Sequence, residues 1–327
     1  MTEIIENTEK AAKIHKQIRQ ELKDYVKPNI KLIDICNFIE NRIRGLTKET
    51  KSNEINNGIA FPTGVSINNI AAHWTPIKKT DSTILTKDDL LKIDFGVHCD
   101  GCIVDSAFTW SNNEKYNPLL EASKEAVYAI IKNVGVDSTI SSLGKISEEI
   151  VSSYEIEIDG VLTPIKPIDN LCGHSIKPWT IHAGKLIKPI RNNDMTKIED
   201  NDILAIEIFT TTGSGTTVLD NKSSHYMLKT DYNSNNVNNL KFPKSKKLLS
   251  VIKTNFKTLP FTQRYLDFYQ SEIKHYGMYL NDLFANGIIN SYPALIDPIP
   301  NCLTAQFEHT ILVSEDKKIN FTKGIDY

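Results

Sequence analysis

The chain has 327 residues, of which 40% are hydrophobic, and its 38 Lys and Arg residues nearly balance its 40 Asp and Glu residues. This composition is that of a globular protein with a large core, and a net charge of −2 predicts no bulk attraction to nucleic acid or to a membrane. No apolar run approaches the ~20 residues of a membrane span, and the polar N-terminus MTEIIENTEK is unlike a signal peptide. Five cysteines without framework spacing indicate a reducing compartment, so we expect a cytoplasmic protein.

Helix-like and strand-like stretches alternate along the chain. Amphipathic patterns predict helices over residues 3–24, 31–44, 117–134 and 142–154. Strands and loops are predicted at 58–75, 90–110 and 155–215. Residues 221–289 then change character, with helix-period runs at 244–256 and 264–284 and an Asn-rich loop at 233–239. We predict one domain over residues 1–327, with 221–289 as a helical insertion.

The clearest motif is a predicted β-hairpin, with the sequence LLKIDFGVHCDGCIVDSAFTW at residues 90–110. Asp100 and Gly101 are turn residues, and Asp94 and Asp105 lie eleven positions apart on opposite arms. Because side chains alternate along a strand, an even-numbered loop puts both carboxylates on one side of the hairpin. The other apolar residues alternate imperfectly, which allows a bulge. Two solvent-facing aspartates on a half-exposed hairpin are the alternative to a binding site.

Three more candidate ligands, His174, Glu207 and Glu308, and a second histidine, His182, follow in apolar or Gly-Pro-punctuated segments. His174 and His182 lie in LCGHSIKPWTIHAGK, where Pro178 rules out a single helix. Glu207 lies in ILAIEIFTTTGSG and Glu308 in AQFEHTILV, both strand-like runs. A glutamate in such a run is costly to bury unless it is paired or binds metal, although each could also face solvent on an edge strand.

Taken together, the candidate ligands are four carboxylates and one imidazole. Crowded into one pocket, four carboxylates would repel one another and take up protons. Two divalent ions would neutralise their charge of −4. The pattern therefore predicts a site for two metal ions and metal-assisted hydrolysis.

Five segments carry a resemblance to a known family: GIAFPTGVSINNIAAHWTP, KIDFGVHCDGCIVDSAFT, GHSIKPWTIHAGK, AIEIFTTTG and TAQFEHTIL. They resemble the methionine aminopeptidases, specifically the type 2 branch, over nearly the whole chain. The resemblance implies the pita-bread α/β (α+β) fold, a pseudo-twofold, mostly antiparallel sheet flanked by helices around a dinuclear metal centre. The helical insertion at 221–289 separates type 2 from type 1 members. The implied activity is removal of the initiator methionine before a small second residue.

The resemblance also implies roles for the polar residues. Asp94 would bind one metal, His174 and Glu207 the other, and Asp105 and Glu308 would bridge the two ions, which can be Co, Mn, Fe or Zn. His73 and His182 would contact the scissile amide and stabilise the oxyanion, and Glu207 would also shuttle a proton.

A methionine pocket is implied at positions that line the family's site: Phe61, Ile181, Phe209, His225, Met227 and Tyr292. Cys172 and Pro260 depart from the family pattern, where Asn and a small Ala-like residue are common. The resemblance further implies that fumagillin-type spiroepoxides alkylate His73.

Three alternatives stay open at this point. Prolidases and aminopeptidase P share the fold and metal set but carry an additional N-terminal domain, and type 1 enzymes lack the insertion. Metal-free relatives bind RNA or protein partners, but they lose ligands that this chain retains. The implied partner is the N-terminal Met of nascent polypeptides. Ribosome association is left open, and we expect a monomer without membrane or direct nucleic-acid binding.

Overall fold

The computed structural model describes residues 1–48, 56–270 and 272–327. In these ranges the helices are α1 (Thr2–Tyr25), α2 (Leu32–Thr47), α3 (Asn117–Asn133), α4 (Ile140–Val151), α5 (Ser234–Asn238), α6 (Pro243–Phe256), α7 (Gln263–Tyr269) and α8 (Tyr276–Ala285). One 3-10 turn at Glu114–Tyr116 precedes α3.

The strands of the first half are β1 (Asn57–Ile67), β2 (Ile70–Ala72), β3 (Leu90–Cys99) and β4 (Cys102–Ser111). The central strands are β5 (Glu155–Ile158), β6 (Val161–Pro164), β7 (Lys166–Pro167), β8 (Gly173–Ile176), β9 (Leu186–Ile187) and β10 (Asp202–Thr211). The last strands are β11 (Val218–Leu228), β12 (Ile289–Ile296), β13 (Thr304–Val313) and β14 (Lys318–Asn320).

Two α/β halves meet in the middle of the molecule. In one half, α1 and α2 pack on a sheet with strand order β1-β3-β4, and in the other α3 and α4 pack on a sheet with order β14-β13-β10-β8-β9. The halves are joined where β4 side chains bond to the β13 backbone, since Ser106 Oγ donates to Glu308 O at 2.7 Å. The pairings of the described strands are antiparallel, which agrees with the mostly antiparallel sheet predicted above.

Buried apolar faces explain how the helices attach to these sheets. Ala11, Ile18 and Leu22 are each at most 1% exposed and recur at helical spacing on the side of α1 that packs on β3. Helix α4 starts at Ile140 because the Thr139 hydroxyl accepts a hydrogen bond from the Ser142 amide at 3.2 Å.

The predicted hairpin forms without a bulge between its own strands. Pairing is continuous from Leu90 opposite Ser111 to Cys99 opposite Cys102, around a turn in which Asp100 and Gly101 both have positive φ. The imperfect apolar alternation has another cause, because both faces of this hairpin are largely buried. The irregularity lies in β1, whose register against β3 shifts around Phe61.

The 221–289 segment differs from its prediction in three places. Residues 218–228 form strand β11, so the helical part is narrower than predicted. The Asn-rich stretch contains the short helix α5, because Asn233 and Asn236 form a capping box. The 264–284 run is not one helix: it ends at Tyr269, restarts at Tyr276 after His275 in the left-handed conformation, and includes residue 271, which lies outside the described residues.

A third sheet, of order β11-β12-β2, carries α6, α7 and α8 around a separate apolar cluster. Within the described ranges, no helix has the length and apolar character needed to cross a membrane.

Candidate active site

A cavity of about 360 Å³ opens between the two halves. Every residue predicted above as a ligand, catalytic group or pocket wall lines it: Phe61, His73, Asp94, Asp105, His174, Ile181, His182, Glu207, Phe209, His225, Met227, Tyr292 and Glu308. Cavities of this size hold small molecules or a few side chains of a larger ligand. The fold thus brings together residues that are up to 247 positions apart in the chain (61 to 308).

Strand register places three of the five candidate ligands on one face of the larger sheet. Glu207 on β10 is the direct partner of Glu308 on β13, and His174 on β8 pairs with Ala205, two residues before Glu207. Since residues two apart on a strand share a face, the three side chains leave the sheet on the same side. None of these three strands is at the edge of the sheet. This excludes the alternative that Glu207 and Glu308 face solvent on an edge strand.

The hairpin supplies the other two ligands from the opposite half. Asp105 pairs with Gly96, two residues from Asp94, so the two aspartates share a face as predicted. The Thr310 hydroxyl of β13 accepts from the Asp105 amide at 2.8 Å and donates to its carbonyl at 2.5 Å, which fixes the position of this strand beside β13.

The residues present fit a divalent cation. Ligand atoms of Asp105, His174 and Glu308, all buried, lie within 4.8 Å of one another. Within the described part of the chain, Asp94 Oδ1 and both Glu308 carboxylate oxygens are buried without a hydrogen-bond partner. Buried anionic oxygens without partners are costly, and a bound cation would satisfy them.

The His174 ring is oriented as a metal ligand. Its Nε2 lies 3.5 Å from Asp105 Oδ2 and 4.0 Å from Glu207 Oε1, while Nδ1 lies 3.4 Å from the Ser175 carbonyl. A proton on Nδ1 would donate to that carbonyl and leave the Nε2 lone pair facing the carboxylates.

Burial and mutual repulsion shift the pKa values of the acidic groups upward. Burial raises the pKa of Asp105 to about 7. Burial and then the nearby Asp105 charge raise the pKa values of Asp94, Glu207 and Glu308 well above their usual range. This is the electrostatic penalty that cations in the cavity would remove.

The two candidate catalytic histidines flank the carboxylates and are neutral at physiological pH. Burial lowers the pKa values of both His73 and His182 to about 4. The His182 ring lies edge-on to His174, with centroids 4.4 Å apart. His73 has a φ of 60°, a left-handed conformation, and its ring lies 5.6 Å from that of His225.

Apolar side chains form the rest of the wall. Phe61, Ile181, Phe209, Met227 and Tyr292 surround the space next to the histidines, and the two departures from the family pattern, Cys172 and Pro260, also line it. Gly96 allows Phe61 to approach, since a Cβ at this position would lie 2.2 Å from the Phe61 ring.

Gln306 is a further residue of the site that the sequence analysis did not predict. Its Nε2 donates to Asp94 Oδ2 and to Glu207 Oε2, both at 3.2 Å, so it links candidate ligands from the two halves of the molecule. Its position two residues before Glu308 on a strand was the available signal, because it places Gln306 on the ligand face.

A pita-bread fold with buried carboxylates and a histidine at its centre defines the class of divalent-metal-dependent peptidases. The family model described as Metallopeptidase family M24 matches residues 6–315. The chain is 44% identical over 329 residues to Methionine aminopeptidase 2-2 of Chaetomium globosum, covering 100% of this chain and 73% of that relative.

Solved structures show the same fold at low sequence identity. A thermophilic Arx1 aligns with a TM-score of 0.79 at 17% identity, covering 100% of this chain and 92% of that one. A methionine aminopeptidase from Thermotoga maritima aligns with a TM-score of 0.66 at 16% identity, covering 99% and 98%.

This chain belongs to metallopeptidase family M24. It is a metal-dependent aminopeptidase that removes the initiator methionine.

Proposed function

We propose that the chain works as a type 2 methionine aminopeptidase with two divalent ions, drawn from Co, Mn, Fe and Zn. The observation that carries the proposal is the convergence of five metal-type ligands, two neutral histidines and an apolar wall on one cavity. Relatives named Methionine aminopeptidase 2, at 39% identity, and Methionine aminopeptidase 2A, at 44% identity, support the type. Helices α6 to α8 support a helical insertion at 221–289 within a single domain of residues 1–327.

In this proposal Asp94 would hold one ion, His174 and Glu207 would hold the other, and Asp105 and Glu308 would be ligands of both. When bound, the ions would polarise the scissile carbonyl and lower the pKa of an attacking water toward ~7. An oxygen-rich set with one imidazole accepts several metals, so availability decides which is used.

The protein's own residues then move protons and stabilise charge. Glu207, at the cavity wall, accepts the proton of the attacking water and delivers it to the leaving amine. His73 and His182 stand at the cavity wall as neutral rings and donate to the oxygen that becomes negative. A free α-amine on the substrate, placed against the carboxylates, explains release of a single terminal residue.

The methionine side chain would occupy the apolar part of the cavity. Phe61, Phe209 and Met227 offer polarizable contacts to a thioether, with Ile181, His225 and Tyr292 completing the wall. The remainder of the peptide would leave through an adjoining cavity of about 420 Å³, which shares Ile181, His182 and Met227 with the first. A small second residue would lie beside the Ile181, His182 and Met227 side chains that line both cavities.

The cellular setting is proposed from the sequence. The five cysteines are free thiols, consistent with a reducing cytoplasm, and the substrates would be N-terminal Met residues of nascent polypeptides. Ribosome association and a monomeric state stay predictions.

The test is turnover of Met-Ala-Ser against Met-Leu-Ser during metal titration of the purified, metal-depleted protein. We expect metal-dependent release of Met from Met-Ala-Ser and much slower release from Met-Leu-Ser. Full activity in excess chelator would overturn the metal assignment, and a preference for proline at the second position would favour a prolidase-like specificity.

A further inference from the structure

A buried ion pair joins α7, which lies within residues 221–289, to α2 in the first half of the protein. Arg264 on α7 donates through Nη2 to Glu40 Oε1 on α2, and the two side chains are 3% and 5% exposed. Neither residue lines the active-site cavity. Because desolvation offsets most of the attraction within a buried pair, the net stability it adds is a weak reason for its presence. The other contacts of Arg264 and of its neighbour Tyr265 indicate a role in positioning cavity residues.

Arg264 also donates hydrogen bonds to the residues that follow His73. Its Nη1 donates to Thr75 Oγ1 at 3.1 Å and to the Pro76 carbonyl, two and three residues beyond His73. The His73 φ of 60° is uncommon for a non-glycine residue and persists only when surrounding contacts impose it. On the other side, the Ser224 hydroxyl donates to the His73 carbonyl at 3.0 Å. The His73 backbone is therefore held directly by β11, and the residues that follow it are held by α7.

Tyr265, the next residue on α7, forms hydrogen bonds with the β1 backbone near Phe61. Its hydroxyl accepts from the Thr63 amide at 3.3 Å and lies 3.5 Å from the Phe61 carbonyl. Strand β1 loses its regular register with β3 between Ile59 and Gly64, so backbone groups here need partners outside the ladder. The Tyr265 hydroxyl is one such partner, and it lies 3.2 Å from Glu40 Oε1 as well.

We propose that Arg264 and Tyr265 are positioning residues of the peptidase site, joined through Glu40. Arg264 holds the segment that follows His73, and Tyr265 holds the irregular strand that carries Phe61. The inference rests on the roles proposed above for His73 and Phe61. Helix α7 then affects the reaction indirectly, because it sets the distance between Phe61 and His73.

The two residues predict different kinetic defects. Loosening Phe61 weakens contact with the methionine side chain, which is made in the ground state and the transition state alike, and so raises KM. Loosening His73 weakens contact with the reacting amide, which matters most in the transition state, and so lowers kcat. A purely structural role would instead reduce the folded fraction and leave the KM of the remaining enzyme unchanged.

The experiment compares metal-saturated variants on Met-Ala-Ser, with thermal melting measured for each. Tyr265→Phe removes one oxygen and is matched by Tyr279→Phe, a buried tyrosine on α8 that lines neither cavity. We expect Tyr265→Phe to raise KM about tenfold with kcat within about twofold, the range of one lost hydrogen bond. Tyr279→Phe should leave both constants unchanged.

Arg264→Lys cannot reproduce the fork that reaches Glu40, Thr75 and Pro76, and we expect kcat to fall about tenfold with little change in KM. Thr75→Val, which removes only the hydroxyl acceptor, should lower kcat in the same direction if Arg264→Lys fails to fold. Equal KM for Tyr265→Phe and Tyr279→Phe, or an unchanged kcat in Thr75→Val, would overturn the proposal.

His73→Asn separates this inference from the proposed function. If His73→Asn is inactive but the Arg264 and Tyr265 variants have the same kcat and KM as Tyr279→Phe, the positioning role alone is refuted. An active His73→Asn would refute the catalytic assignment on which both rest.

Discussion

Glu207 and Glu308 are direct cross-strand partners, so two carboxylates leave neighbouring strands on the same face of the sheet. Like charges placed opposite each other destabilise a strand pair. Here Asp94 and Asp105 add two more carboxylates from the hairpin, and the pKa values of all four groups are raised. Bound metal would offset the negative charge of these carboxylates. Removal of the metal should therefore lower both the stability of the fold and the activity.

Chelation should lower the melting temperature of the wild-type protein. Ligand binding stabilises a fold by about 2.7 kcal/mol at a hundredfold excess over Kd, and that contribution disappears when the metal is removed. Asp105→Asn should abolish turnover and show almost no response to chelator, because the proposed bridging ligand is lost. Differential scanning fluorimetry with and without chelator measures both effects. Equal chelator shifts in the two proteins would contradict the assignment of Asp105.

Gln306→Leu should weaken metal binding while leaving the ligands themselves in place. The Gln306 amide donates to both Asp94 and Glu207, and loss of such an outer contact typically costs about 10–100-fold in metal affinity or activity. Metal titration followed by activity and by melting temperature gives the affinity. Gln17→Leu, an exposed change on α1, is the matched control and should titrate like wild type.

The reactivity of His73 toward a fumagillin-type spiroepoxide should be nearly independent of pH between 8 and 6. Only the neutral ring is nucleophilic, and burial lowers the pKa of His73 to about 4, so the ring stays neutral over this whole interval. An ordinary imidazole, with a pKa of about 6.5, would lose roughly three quarters of its neutral form by pH 6. Peptide mapping by mass spectrometry at saturating metal gives the rate, with N-acetylhistidine as the reference nucleophile.

His73→Asn should remove the adduct together with most of the activity. An adduct on His182 instead, or a rate that falls with pH as it does for N-acetylhistidine, would show that the two histidines have been assigned the wrong positions.

Gly96→Ala should impair methionine binding more than it impairs folding. A Cβ at Gly96 would lie 2.2 Å from the Phe61 ring, so the ring must move out of its place in the cavity wall. Overpacking of this kind costs about 1–3 kcal/mol, and displacement of Phe61 should raise KM. Gly135→Ala is the control, because nothing lies within 4 Å of the added carbon. A KM equal to that of the control would mean that Phe61 does not contact the methionine side chain.

Local signals in the sequence were sufficient for most of the elements and for the nature of the site. The even two-residue loop and the odd spacing of Asp94 and Asp105 put both carboxylates on one hairpin face, because strand periodicity is a local property. Glu207 and Glu308 stood out because glutamate in a buried apolar strand needs a partner. The end of α7 at Tyr269, the start of α8 at Tyr276 and the short helix after Asn233 were not predicted, since they depend on backbone conformations and side-chain caps that apolar periodicity does not record.

The sequence by itself therefore determined which residues could bind metal and which strands would carry them, because alternation and burial cost act between neighbours. Only the tertiary structure decided that Glu207 stands opposite Glu308, that Gln306 joins Asp94 to Glu207, and that α7 contacts the segments carrying His73 and Phe61. These relationships link positions about 100 to more than 200 residues apart, and they are set by strand register and by the packing of the two halves. No local pattern specifies them, because each requires the whole fold to be in place.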